Sequence, residues 1–230
     1  MRRLTPYERR FLQLQEEISG NERISILEEE NEGIADFDED PGEVFREIAE
    51  KYGMEPAPCF HRSFVRFNRL WTCWRFEEDG VRLTGEFRIG NLPDALATAP
   101  PPFSVRSSSP EERRLHSELR VIDDRPESGT GHQAALRLRP GDSDPELRYF
   151  HLGLGTLRMD IDYQEYLDAL VLTKGASGWQ FLFCDITEEL RETYDFETAS
   201  ERMKTMLDVF PELFPGHDYS GLRARLEERL

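Results

Sequence analysis

The chain is poor in cysteine, in positive charge and in long apolar runs, and each shortage removes a class of protein. Three cysteines, Cys59, Cys73 and Cys184, are too few for the disulfide framework of a small secreted domain, and an odd number leaves one unpaired. The basic start MRRLTPYERRFLQLQ is not followed by the apolar stretch of a signal peptide, so a reducing, cytoplasmic setting is expected. No run approaches the roughly 20 apolar residues of a membrane span. Lys plus Arg is 29 against 46 Asp plus Glu, a net charge of −17. That surplus repels anionic membranes and nucleic acid over most of the surface, and no contact with either is expected.

Sequence signatures of common chemistry are also missing. There is no G-x-x-x-x-G-K-[ST], no C-x-x-C, no H-E-x-x-H and no G-x-S-x-G. The stretch LTKGASGWQFLF, residues 172–183, has two glycines three apart, but a helical pattern precedes them. A phosphate loop needs a strand before it and a helix after it. Lys174 and Gly175 read instead as a last turn and its glycine stop. Asp36, Asp38 and Asp40, with Glu47 twelfth in the count, imitate a calcium loop, yet its sixth position is Pro41 rather than glycine. Asp40 reads better as a helix cap. Cys59 and His61 would share one face of a strand, but Cys73 falls out of reach as a third ligand, so no metal and no cofactor are expected.

What is present is a clear alternation of patterns. Thr5-Pro6-Tyr7-Glu8 is a capping box opening a helix with Tyr7, Phe11, Leu14 and Ile18 on one face and Gly20 at its end. A short helix from Asn21 to about Glu30 is expected next, then one from Asp40 to Gly53. From residue 59 to 89 the period falls to two. Asp79-Gly80 predicts a hairpin that pairs Phe76 with Leu83, Trp74 with Gly85, Thr72 with Phe87 and Leu70 with Ile89. Its other face carries Trp71, Cys73, Arg75 and Glu77 opposite Arg88, Glu86, Thr84 and Arg82. The preceding CFHRSFVRF is expected as a strand turning at Asn68-Arg69, which would set Trp71 between Arg66 and Arg88 as a cation–π ladder. Residues 98–114 read as a Pro/Ser loop. Short strands are expected at LRVID, AALRLR, LRYFHLG and LRMDID, then a helix from Tyr163 to Thr173. Helices over 187–214, broken near Asp195, and over 220–230 complete the chain.

The predicted fold is α+β: a mainly antiparallel sheet of five to seven strands packed with N-terminal and C-terminal helices, in one domain. Residues 1–56 are its helical beginning, 57–162 its sheet and 163–230 its helical end. Residues 1–50 hold six arginines and fifteen acids, net −9, whereas 59–89 hold six arginines and four acids, net +2. The candidate partner-binding residues are therefore Trp71 with Arg62, Arg66, Arg75, Arg82 and Arg88. The acidic N-terminal helices could cover this face within the chain, or it could meet a protein partner, since Trp and Arg are enriched at interface hot spots. Conversely Asp36, Asp38 and Glu39, in the acidic 28–40 stretch, could meet a cationic partner such as a toxin. No catalytic set is visible.

The order of elements resembles the SUKH superfamily, best known as immunity proteins of bacterial toxin systems. The stretches carrying the likeness are FDEDPGEVFREIAEKYG, GEFRIGNLPDAL and ELRYFHLGLGTLRMDIDYQEYLDALVLTKG, within residues 36–174. The last ends in an aromatic-x-x-aromatic-Leu helix, Tyr163 to Leu167. The resemblance implies an α+β sheet wrapped by helices and a role in stoichiometric protein binding. Two other roles fit the composition: an enzyme of bacterial defence or nucleotide processing with an Arg-lined site, and a subunit docking through the C-terminal SGLRARLEERL helix. Partner identity and oligomeric state lie beyond the sequence.

Overall fold

A computed structural model describes residues 3–36, 40–53, 57–101, 109–129, 131–139, 141, 143 and 145–229. Among these the chain is α+β, with one seven-stranded antiparallel sheet in which every strand pairs with its sequence neighbour, in the order β1 to β7. The elements run α1 (Pro6–Ser19), β1 (Ile24–Asn31), α2 (Pro41–Tyr52), α3 (Pro58–Arg62), β2 (Leu70–Glu78), β3 (Val81–Ile89), α4 (Leu92–Ala97), α5 (Pro110–Ser117), β4 (Leu119–Asp124), β5 (Gln133–Arg137), β6 (Glu146–His151), β7 (Gly155–Arg158), α6 (Tyr163–Thr173), a 3₁₀ turn (Trp179–Leu182), α7 (Glu188–Thr193), α8 (Phe196–Leu213) and α9 (Ser220–Arg229).

The predicted hairpin forms in its predicted register, from Glu78↔Val81 to Leu70↔Ile89. Asp79 and Gly80 both take positive φ, 50° and 81°, the twist that suits a two-residue turn. One face is the core: Leu70, Trp74, Phe76, Leu83, Phe87 and Ile89 are all buried. Phe11, Leu14 and Ile18 of α1 join them, and Phe210 of α8 meets Trp74 at 6.2 Å between ring centres. Two helices begin at the caps read from the sequence: Thr5 and Glu8 close a reciprocal box, and Asp40 caps α2 through the Gly42 N–H (2.8 Å). The α6 helix starts at the expected Tyr163, on an Asp162–Glu165 box that the sequence reading did not name.

Three expectations fail. The segment expected as a helix from Asn21 is strand β1, antiparallel to β2 with a bulge at Leu27. Ile24 and Ile26 alternate toward the core, and the open edge of β2 offers a ladder that local helix propensity cannot match. Glu28 and Glu29 then lie exposed on the sheet edge, where like charge discourages edge pairing. CFHRSFVRF is not a strand with a turn at Asn68-Arg69. It starts as helix α3 and continues into an extended run that pairs with residues 32–35: the Ala35 N–H donates to the Arg66 carbonyl (2.7 Å) and the Asn68 N–H to the Gly33 carbonyl (2.9 Å). Finally, the Pro/Ser loop ends early. Residues 102–108 fall outside the described set, and Ser109 with Glu112 forms a capping box that opens α5. Leu115 of α5 packs on the small outer cluster of Leu119, Ala135 and Phe150.

The sheet is not continuous in its middle. β3 and β4 share a single rung, Ile89↔Asp123. Below it the strands part, and residues 175–177 fill the gap: the Glu86 N–H donates to the Gly175 carbonyl (3.0 Å), and the Ser177 N–H to the Thr84 carbonyl (2.8 Å). Gly175 sits at φ 68°, and a Cβ there would lie 2.7 Å from the Glu86 oxygen. Only glycine permits both the left-handed backbone and this approach.

Candidate functional site

Where β3 and β4 part, the wedge leaves a cleft in two adjoining hollows of about 260 and 340 Å³ that share Ser128, Ser177 and Arg202 as walls. Its construction starts at the end of β4. Arg125 turns inward, 3% exposed, and its Nη2 donates to the Gly175 and Ala176 carbonyls (3.2 and 3.3 Å) and to Gln180 Oε1 (3.1 Å). The arginine thus holds the inserted 175–180 segment in the wedge. The following turn folds over β3, and the backbone N–H groups of Glu127 and Ser128 and the Ser128 hydroxyl donate to the Glu86 carboxylate (3.0, 2.6 and 2.6 Å). Trp71 Nε1 supplies a fourth donor at 2.9 Å. Four donors satisfy the buried Glu86 without a bonded cation.

The inner hollow is walled by His132, His151, Tyr149, Phe181 and Tyr194. His132 precedes β5 and His151 ends β6; the Gln133↔Phe150 pairing brings them side by side, their rings stacked 4.3 Å apart at 23°. Burial, the neighbouring His151 and the charge of Arg125 drive the His132 imidazole down to about 4. Burial also lowers His151. Both are neutral at pH 7. The Gly153 N–H donates to His151 Nδ1 (3.2 Å), so the proton of that neutral ring resides on Nε2, facing the Tyr194 hydroxyl at 3.4 Å. Burial raises the Tyr149 phenol well above its usual range. The outer hollow is bounded by Arg82, Thr84, Arg202, Met203 and Met206.

The structure scatters the predicted face. Arg66 is fully buried against Glu8 of α1, with Nε and Nη2 to the two carboxylate oxygens at 2.8 and 2.9 Å. The cation–π ladder is therefore not formed, because the Arg66 backbone pairs with Ala35 and its side chain with the acid of the first helix. The acidic N-terminal helix covers this arginine, as one of the two readings held. Arg88 is paired with Asp124 (Nε–Oδ1 2.6 Å). Trp71 is half-buried and pinned to Glu86, unlike the fully buried Trp74. Arg62 is exposed on α3 and Asp36 is exposed, both away from the cleft; Asp38 and Glu39 lie outside the described residues. Arg82 alone lines the cleft, with half-buried Arg75 on the ribbon's outer face. Arg125, His132, His151 and Arg202 carried no motif. The one usable hint was the β5–β6 pairing, whose long connection hides its register.

Lys174, beside the two glycines, is also diverted from the cleft. Its fully buried amine reaches Glu17 Oε2 (2.6 Å) and His217 Nε2 (3.0 Å), and burial pulls its pKa below the usual lysine range. The 172–183 stretch is thus a corner of the fold in which Ser177 and Gly178 line the inner hollow. The C-terminal helix buries its Leu222 and Leu226, and the large apolar side chains left exposed among the described residues are Leu27 and Leu152. No described helix is long and apolar enough to cross a membrane. Comparison with protein-family models, with curated proteins and with solved structures finds no match to this chain.

Proposed function

We propose that this chain is a non-enzymatic binding protein of the immunity or adaptor kind, which engages a protein partner stoichiometrically at the cleft and its cationic rim. One observation carries the reading. In a chain of net charge −17 most arginines find a carboxylate, as Arg10, Arg23, Arg69, Arg137, Arg223 and Arg225 do. Arg82, Arg125 and Arg202 make no ion pair among the described residues, a state they share with Arg3, Arg9, Arg62, Arg75 and Arg191, and these three line one cleft. Unpaired cations gathered at a concave site attract an acidic group of a partner and orient its approach.

A catalytic reading lacks its central contact. The hydroxyl of Ser128 is committed to Glu86, that of Ser177 to Thr84 (3.1 Å) and that of Thr198 to Asp195 (2.6 Å). None of these three hydroxyls is bonded to a histidine, and the Tyr194 hydroxyl, which faces His151 at 3.4 Å, meets the protonated Nε2 of that ring rather than a free base. The test is capture of a partner from the native host, with the bound protein identified and its stoichiometry measured. Reversing the rim with Arg82→Glu and Arg202→Glu should abolish capture. If capture survives that change but is lost with Glu28→Lys and Glu29→Lys, the interface is the acidic edge of β1 and a cationic partner is the better assignment.

A further inference from the structure

We infer that the floor of the cleft is a binding site for one small oxyanion, and that the group it takes is the carboxylate of an acidic side chain on the partner. This rests on reading the cleft as the partner-binding site, and adds the chemistry of what enters it.

Arg125 carries the argument. Its guanidinium is buried, yet its protein acceptors are two carbonyls and one amide oxygen, all on Nη2. Nε is sealed from solvent without a partner, and Nη1 makes no hydrogen bond among the described residues. A buried cation bonded only to neutral oxygens is incompletely compensated. The nearby acids do not supply the missing charge. Asp123 accepts from the Tyr166 hydroxyl (2.6 Å) and the Arg88 N–H (2.9 Å), and burial pushes its carboxyl up to about 7, so it is partly protonated near neutrality. Glu86 is held by its four donors. Asp195, on the wall, accepts from the Thr198 N–H and hydroxyl. An incoming carboxylate would complete Arg125 through Nη1, which is not sealed from solvent as Nε is.

Size and charge select the ligand. A hollow of about 260 Å³ lined by Tyr149, Phe181 and Tyr194 admits a carboxylate on a short apolar stem. Beside one buried cation stand two neutral imidazoles, so a single negative charge is balanced. A phosphate dianion would bring a second charge, with only the exposed Arg82 and Arg202 at the rim to meet it.

The probes are sodium acetate and inorganic phosphate, titrated into the folded protein and followed by NMR, with sodium chloride at equal ionic strength as reference. Acetate should give saturable shifts at Ser128, Gly175 and Ser177 with a millimolar midpoint, and phosphate should bind more weakly. Saturation should also move the His132 imidazole upward from about 4, because a bound anion favours its charged form. Arg125→Gln should weaken acetate about tenfold, the loss of one charge-assisted hydrogen bond. Because that variant could also loosen the 175–180 segment, Ser177→Asp serves as a second probe: a carboxylate fixed in the cleft should exclude acetate in a protein with an unchanged melting temperature. No saturable acetate response in the native protein, or a response that Ser177→Asp leaves intact, overturns the inference. So does phosphate binding more tightly than acetate. An acetate site that persists while rim reversal leaves partner capture unchanged removes the protein-partner reading and leaves the anion site standing. Capture lost on rim reversal, with no acetate site, removes this inference alone.

Discussion

Replacing Gly85 by alanine tests the packing on which the β2–β3 ribbon rests. A Cβ at this position would lie 2.3 Å from Cε2 of Trp74 and 2.4 Å from both Cζ2 and Nε1, where ordinary contact begins at 3.4 Å. The indole would have to retreat by about 1.1 Å. It has nowhere to go: Trp74 is fully buried, and its Nε1 donates to the Lys174 carbonyl at 2.7 Å. Overpacking of this kind costs roughly 1–3 kcal/mol, and a buried indole N–H pulled from its acceptor a further 1–3 kcal/mol or so. Against this, removing a strand glycine gains about 0.5–1 kcal/mol of unfolded-state entropy. Sterics win, for a net loss of about 1–5 kcal/mol. At about 2–4 °C per kcal/mol for a chain of this size, melting should fall by roughly 2–20 °C, readable by calorimetry or circular dichroism. Trp74→Phe removes the atoms that clash, so Gly85→Ala combined with Trp74→Phe should be less unstable than the sum of the two single changes by about 1 kcal/mol or more. A Gly85→Ala protein melting within about 1 °C of the native chain, or strictly additive changes, would refute the account.

The remaining predictions concern buried charge. Arg66→Met strands Glu8 without its cation and should cost about 3–5 kcal/mol; adding Glu8→Gln, which keeps the capping box, should recover most of it, and urea midpoints that show no recovery would contradict the pairing. Asp123, raised by burial to about 7, holds its proton in the folded chain after the unfolded chain has released it near 4. Its contribution to stability therefore falls as pH rises from about 4 to about 7. His132 acts with the opposite sign: held at about 4 by burial, it is neutral when folded but protonated when unfolded up to 6.5, so its contribution rises over that range. Relative to the native profile, Asp123→Asn should tilt the urea midpoint upward between about pH 4 and 7 and His132→Gln should tilt it downward, and three superimposable pH profiles would sink both assignments.

How much was legible in the sequence depends on how local the cause was. The Asp79-Gly80 turn and the two-residue alternation around it determine a register on their own, which is why every rung from Glu78↔Val81 to Leu70↔Ile89 falls where expected. Caps such as Thr5, Asp40 and Asp162 act within one turn of helix, and α1, α2 and α6 begin beside them. The class of fold follows from the same patterns. Partnership across long separations is a different matter. Arg66 and Glu8 lie 58 residues apart, and nothing near either names the other. Residues 24–31 became a strand because β2 offered an unpaired edge, and 58–62 a helix, against the periodicity read from their neighbours. The cleft is the extreme case. Arg125, His132, His151, Ser177 and Arg202 meet only because the 175–177 segment enters the gap between β3 and β4, and that gap exists only once the whole sheet has twisted into place. Short-range backbone preference is written residue by residue, whereas a site assembled across the fold is settled by which distant surfaces bury one another.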